Sequence, residues 1–171
     1  CKTGDDKTAD FLFQEMTASP GFRPRVPPYN TMIQFYTQTK PDRERALYYY
    51  DQLRQAGVKP TSHTYKLLLD AYGSIGEPDA ASMSEIFAQL AADKNVDVTV
   101  TGAHWASLIN AWGCVQKDLD HAVEIFNQIA HHPTTIASKS ALPDAVVYES
   151  LLNAFLANHR PDLCSKYLLE M

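Results

Sequence analysis

The sequence predicts an all-α fold: a right-handed α-solenoid of stacked antiparallel helix–turn–helix repeats. Two patterns of apolar residues recur in alternation along the 171 residues, and helix-breaking residues separate them. A single helical hairpin cannot bury its apolar face alone, so such hairpins stack into a continuous core with an extended concave surface. We therefore treat residues 1–171 as one helical-repeat domain.

The first pattern marks the first helix of each hairpin, with large apolar residues at i, i+3, i+4 and i+7 on one helical face. Every copy begins and ends with an aromatic residue. The copies are Tyr29, Met32, Ile33, Tyr36; Tyr65, Leu68, Leu69, Tyr72; Trp105, Leu108, Ile109, Trp112; and Tyr148, Leu151, Leu152, Phe155. We predict that the opening aromatics lie in the core.

The second pattern marks the second helix and follows after 16 to 18 residues. It is a mostly small residue, then bulky apolar residues four and seven positions later. The copies are Ala46, Tyr50, Leu53; Met83, Phe87, Leu90; Ala122, Phe126, Ile129; and Cys164, Leu168, Met171, with an additional copy at Ala9, Phe13, Met16. A small opening residue allows the close helix approach of an antiparallel hairpin.

Breakers divide the chain into units. Within units they are residues 40–42, 73–78, 113–120 and 160–162; between units they are residues 21–28, 57–61, 93–101 and 131–144. We predict a partial repeat at 1–25, repeats at about 26–61, 62–99 and 102–144, and an incomplete repeat at 145–171. Because the pattern stops within a unit, we expect a fragment of a longer protein.

Composition limits the function. No apolar run approaches the ~20 residues that cross a bilayer, so we expect no membrane span. The three cysteines and six histidines show no metal-ligand spacing, and no phosphate loop or nucleophile motif appears. We therefore predict no enzyme, no metal and no other cofactor. The net charge of −5 argues against indiscriminate phosphate binding, although a local groove can still be basic or neutral.

The two patterns resemble a known repeat family. Residues 26–61 include VPPYNTMIQFY and RALYYYDQLRQAGVKPT, and residues 144–171 read DAVVYESLLNAFLANHRPDLCSKYLLEM. Over nearly its whole length the chain resembles the pentatricopeptide repeat family. The alternatives are tetratricopeptide repeats or another helical hairpin array. Tetratricopeptide units place a small residue after the first-helix leucine, whereas here bulky residues follow: Ile33, Leu69, Ile109 and Leu152.

The resemblance implies binding of single-stranded RNA, one base per repeat. In that family the residue after the opening aromatic reads the base, assisted by the last residue of the unit. The candidate pairs are Asn30 with Thr61, Lys66 with Thr99, and Ala106 with Asp144; Glu149 has no partner within the chain. By the same resemblance, Asn30 implies a pyrimidine, Lys66 departs from the usual pattern, and Ala106 offers no side-chain hydrogen bond. The candidates that wedge the base are Pro27, His63, Ala103 and Val146.

Each candidate also has a structural alternative. Asn30 can simply satisfy backbone groups at a helix start, and Lys66 and Glu149 can be ordinary solvated residues. Basic residues concentrate in the first third of the chain, where we expect a more positive surface and a phosphate-contacting role: Arg23, Arg25, Lys40, Arg43, Arg45 and Lys59.

The resemblance further implies an organellar protein, most often mitochondrial, acting in RNA processing, stability, splicing or translation. The alternative function is a protein–protein scaffold whose concave face holds a peptide or docks on a ribosome or another assembly.

Overall fold

The predicted all-α repeat fold is confirmed by the computed structural model, which describes residues 5–95, 98–129 and 144–169. Its helices are α1 (Asp5–Ala18), α2 (Val26–Gln34), α3 (Arg43–Gln55), α4 (Ser62–Ser74), α5 (Ala80–Ala92), α6 (Gly102–Asn110), α7 (Leu119–Gln128), α8 (Ala145–Ala157) and α9 (Pro161–Leu168). One π-helical turn extends α2 over Phe35–Thr39, and another extends α6 over Ala111–Val115. Of the predicted connection at 131–144, all but Asp144 lies outside the described residues.

The helices pack as hairpins in two layers. The pairs α2 with α3, α4 with α5, α6 with α7 and α8 with α9 are in contact. The first helices of these pairs, α2, α4, α6 and α8, also pack on one another in chain order. Equivalent positions on successive first helices therefore line a common surface. None of the described helices is both long and apolar enough to cross a membrane.

Aromatic contacts join successive units at three junctions. At each of these, the residue four positions into the second-helix pattern packs against the opening aromatic of the following first helix. The ring centroids lie 5.3 Å apart for Phe13 and Tyr29, 4.4 Å for Phe87 and Trp105, and 5.2 Å for Phe126 and Tyr148. Tyr29, Tyr65 and Trp105 are buried as predicted, and Tyr148 is half-buried. Each such pair contributes about 0.5–1.5 kcal/mol beyond its buried area.

The second-helix pattern is wrong at its last copy. Leu168 is 53% exposed, and Tyr167, one residue earlier, is buried against Phe126 and Phe155 instead. Phe13, Phe87 and Phe126, which hold this position in earlier copies, pack on the next first helix, and no first helix follows α9 among the described residues. Met171 lies outside them.

Two glycines of the predicted breakers are helical. Gly73 lies within α4, and Gly113 is buried within the π-helical turn after α6. A Cβ atom at Gly113 would overlap the methyl group of Ala154 on α8 and lie 3.1 Å from that of Ala122 on α7. At Gly73 it would meet only the flexible end of Met83, at 3.2 Å. Gly113 thus allows three helices to approach closely, and the intra-unit turns begin only after these glycines.

A partly buried polar network attaches α1 to the first hairpin. The Asp10 carboxylate accepts hydrogen bonds from Tyr36 Oη (2.8 Å) and Tyr49 Oη (2.6 Å) and pairs with Arg45. Burial and the Asp10 carboxylate raise the pKa of Tyr36 to about 12 and also raise that of Tyr49. Tyr49, which the sequence patterns missed, is buried and stacks on Tyr36.

Candidate nucleic-acid interface

The predicted wedge and reader residues occupy two equivalent positions on each first helix. The residues two before the opening aromatic, predicted as base wedges, are all exposed: Pro27, His63, Ala103 and Val146. The predicted base readers lie just after the aromatic. Asn30 and Lys66 are half-buried, Glu149 is exposed, and Ala106 is buried. We call the surface formed by these two sets of residues the inner surface.

The first predicted pair, Asn30 and Thr61, meets at the junction of the first two units. Asn30 Oδ1 accepts a hydrogen bond from Thr64 Oγ1 (2.8 Å), and Asn30 Nδ2 donates to Thr61 Oγ1 (3.5 Å). Thr61 is the N-cap of α4 and accepts from the Thr64 backbone N–H. A carboxamide has two donors and two acceptor sites, so one of each remains for a ligand. The hydrogen bonds to Thr61 and Thr64 thus orient the Asn30 amide and leave one donor and one acceptor site available.

Lys66 and Thr99, the second predicted pair, each contact a different residue of α4. Lys66 forms an ion pair with Asp70, one turn further along α4. Thr99 is exposed, and its backbone N–H donates to Ser62 Oγ (2.8 Å). Thr101 instead is the N-cap of α6, four residues before Trp105, as Thr61 stands before Tyr65. The longer connection before α6 shifts the position by two residues, so Thr101 corresponds to Thr61.

His104 belongs to this junction, although the sequence patterns did not single it out. The ring is 2% exposed; Nδ1 accepts from the Thr101 backbone N–H (3.0 Å), and Nε2 lies 2.8 Å from the Ser62 carbonyl. Burial lowers the pKa of His104, opposed by the Ser62 hydrogen bond. The neutral tautomer with its proton on Nε2 satisfies both contacts. The sequence held one signal for this role: His104 directly precedes the opening aromatic of its unit, as Thr64 does in the unit before.

The third junction presents little for base recognition. Ala106 is 5% exposed and has no polar side-chain atom. Asp144 is the N-cap of α8 and accepts from the Val147 backbone N–H (3.1 Å). The Asp144 carboxylate also lies where a Cβ atom of Gly102 would stand, so a larger residue at the start of α6 would displace this carboxylate. Asp144 therefore connects two helix starts.

A second polar row lies one turn beyond the readers. It consists of Gln34, Asp70, Asn110 and Asn153. Asn110 Nδ2 donates to Ser150 Oγ on the next unit (3.3 Å). Between α4 and α6 this row borders a cleft of about 220 Å³, lined in part by Asp70, Ser74, Ser107 and Asn110.

Cations are scarce on this surface. The first helices and their π-helical turns contain one lysine, Lys66, and no arginine. Arg43 donates to backbone carbonyls of the next unit, including Tyr72 O (3.2 Å), and Arg45 pairs with Asp10, so both hold units together. Arg23 and Arg25 are exposed and border a cleft of about 370 Å³ beside Pro27. The described residues contain no group of three or more His, Cys, Asp or Glu that could hold a metal ion.

Comparison with known proteins places these units in context. Residues 11–75 match the family model described as pentatricopeptide repeat domain. A mitochondrial pentatricopeptide repeat-containing protein of Schizosaccharomyces pombe is 38% identical over 82% of this chain. Chloroplastic pentatricopeptide repeat-containing proteins of Arabidopsis thaliana and Zea mays are 25% and 32% identical over 94% and 52% of the chain. The chain spans only 11%, 19% and 14% of these three relatives.

Proposed function

Because the chain belongs to the pentatricopeptide repeat family, we propose that its inner surface binds single-stranded RNA in an organelle. The protein acts without catalysis: it holds a segment of transcript unpaired or shields it. This serves RNA processing, stability, splicing or translation. Mitochondria are the proposed compartment, in line with the mitochondrial relative.

The observation that carries the proposal is the Asn30 amide at the junction of the first two units. Its remaining donor and acceptor suit the edge of a pyrimidine, which itself presents both kinds of group. Exposed Pro27 lies on the same helix, three residues earlier, where it can contact the face of the base. The unit thus combines an oriented polar group with an apolar contact.

Charge predicts an unusual salt dependence. With Lys66 paired and the other first-helix positions uncharged or acidic, phosphate contacts fall to exposed residues such as Arg23 and Arg25. Releasing counterions from two phosphates of a single strand gives a slope of log K against log salt of about −1.4. Affinity must then come mainly from contacts to the bases.

The test is a fluorescence titration of the chain with pools of single-stranded RNA, single-stranded DNA and duplex RNA. We expect saturable binding to single-stranded RNA with the shallow slope above. Asn30→Ala should weaken binding about tenfold to RNA carrying the preferred pyrimidine, the order of one lost base-edge contact. The control is Gln55→Ala at an exposed position of α3.

The scarcity of cations on the first helices also favours the alternative function, a scaffold that holds a peptide or another protein in the groove. Absence of RNA binding at low salt, with both variants folded, would refute RNA binding and favour the scaffold. Equal binding by the wild type and Asn30→Ala would refute the role of Asn30.

A further inference from the structure

We propose that the second unit recognises guanine, through Lys66 and Asp70 acting together, and this inference rests on the RNA binding proposed above. Lys66 stands at the base-reading position, and Asp70 lies one helical turn further along the same helix. An ion pair between their side chains holds the ammonium and carboxylate groups side by side.

The pair is placed to meet a ligand. The side chains of Lys66 and Asp70 are 29% and 28% exposed, so both are reachable but partly desolvated. Asp70 borders the cleft of about 220 Å³ between α4 and α6, together with Ser107 and Asn110 of the next unit. A ligand in this cleft would therefore touch two successive units.

The position of the pair separates it from an ordinary solvated i, i+4 pair. Its helix α4 contacts buried His104 of the following unit through the Ser62 carbonyl (2.8 Å), and Asp70 lines a cleft together with residues of that unit. The pair therefore lies near the junction rather than on an isolated part of the helix. Ion pairs at this exposure are worth about 0–1 kcal/mol, so a ligand can rearrange this one at little cost.

No other unit combines these charges. The equivalent positions hold Asn30 with Gln34, Ala106 with Asn110, and Glu149 with Asn153. At these two positions of the described units, the second unit alone offers a carboxylate beside a cation, so there it alone can make charge-assisted hydrogen bonds of both kinds.

Hydrogen-bond complementarity selects guanine. An ionised carboxylate only accepts hydrogen bonds, and its two oxygens best match two adjacent donors. On the pairing edge of the four bases, guanine alone has two adjacent donors, N1–H and the N2 amino group. Its O6 lies next to N1–H and accepts from an ammonium. Adenine, cytosine and uracil leave one carboxylate oxygen without a donor.

The experiment selects bound sequences from a random single-stranded RNA pool with the 171-residue chain and with three variants. We expect the wild type to prefer guanine at one position of its motif. Asp70→Asn should reduce that preference about tenfold and leave the other positions unchanged, and Lys66→Gln should reduce it less. Asp51→Asn, the same change at an exposed position of α3, is the matched control.

A second arm replaces that guanine with inosine, which lacks the N2 amino group. The wild type should bind the inosine RNA several-fold more weakly, whereas Asp70→Asn should bind both RNAs alike. Saturable RNA binding with no Asp70-dependent guanine, or with inosine tolerated by the wild type, overturns the guanine assignment and leaves the proposed function standing. No RNA binding by the wild type overturns both.

Discussion

Replacing Gly113 by alanine should destabilise the solenoid, although a change from glycine to alanine stabilises most helices. In a regular helix, alanine is favoured over glycine by about 1 kcal/mol. Here the added methyl group would overlap Ala154 and crowd Ala122, on two other helices, and overpacking costs about 1–3 kcal/mol. The overlap is with the short side chain of a neighbouring helix, which has no rotamer to give way, so we take the upper part of that range. The expected net loss is about 1–2 kcal/mol.

Gly73 provides the matched control, because it stands eight residues after Tyr65 as Gly113 stands eight after Trp105. Its added methyl group would meet only the Met83 terminus, which can change rotamer. Gly73→Ala should therefore be neutral or stabilising by up to about 1 kcal/mol. The measurement is urea unfolding followed by circular dichroism, with the midpoints of both variants compared with the wild type.

The contact itself is tested by adding Ala154→Gly to the Gly113→Ala variant. Ala154→Gly should cost less stability in this variant than in the wild type, so a double-mutant cycle that includes the single Ala154→Gly variant should give a favourable coupling energy. A Gly113→Ala variant as stable as the wild type, or a coupling energy near zero, would show that the close approach of these helices does not require glycine.

Two further changes test polar groups between helices. Burial lowers the pKa of His104 below the 6.5 of an ordinary histidine. The contribution of neutral His104 to the free energy of unfolding is therefore fully present above pH 6.5 and decreases as the pH falls from there toward the folded-state pKa. This decline has a limiting slope of about 1.4 kcal/mol per pH unit and is measured by urea unfolding across pH 5–8. His104→Gln should flatten the decline, whereas His63→Gln, at an exposed position, should leave it unchanged. Asp10→Ala should cost about 1–3 kcal/mol, since Tyr36 and Tyr49 lose their shared acceptor, and should lower the melting temperature; a variant that melts with the wild type would contradict that network.

The repeat fold was predictable from sequence because its signal is local. An apolar face at helical spacing, repeated four times, specifies both the helices and their stacking, and the opening aromatics of the first three units are buried as expected. Details that depend on contacts between units were not predictable. Tyr49 is buried because α1 packs on it, and Gly113 is needed because α8 passes close by.

The candidate site was predictable only where the connection has the usual length. Asn30 and Thr61 meet because 31 residues separate them with no insertion. The connection before α6 is longer, so counting from the second unit led to Thr99 when Thr101 holds the equivalent place. The proposed role of Lys66 depends on its ion pair with Asp70, a neighbour one turn away that a two-residue recognition pattern does not include.

Thr61 and Asp144 start a helix with the same side chains that would help to identify a nucleotide. A helix start strongly prefers Ser, Thr, Asp or Asn, because these side chains accept hydrogen bonds from free backbone N–H groups. Evolution or design can therefore vary these positions only within a small set of residues before the unit itself loses stability. The requirement for a stable helix start thus restricts which nucleotide sequences such an array can be changed to distinguish, independently of any selection on the transcript.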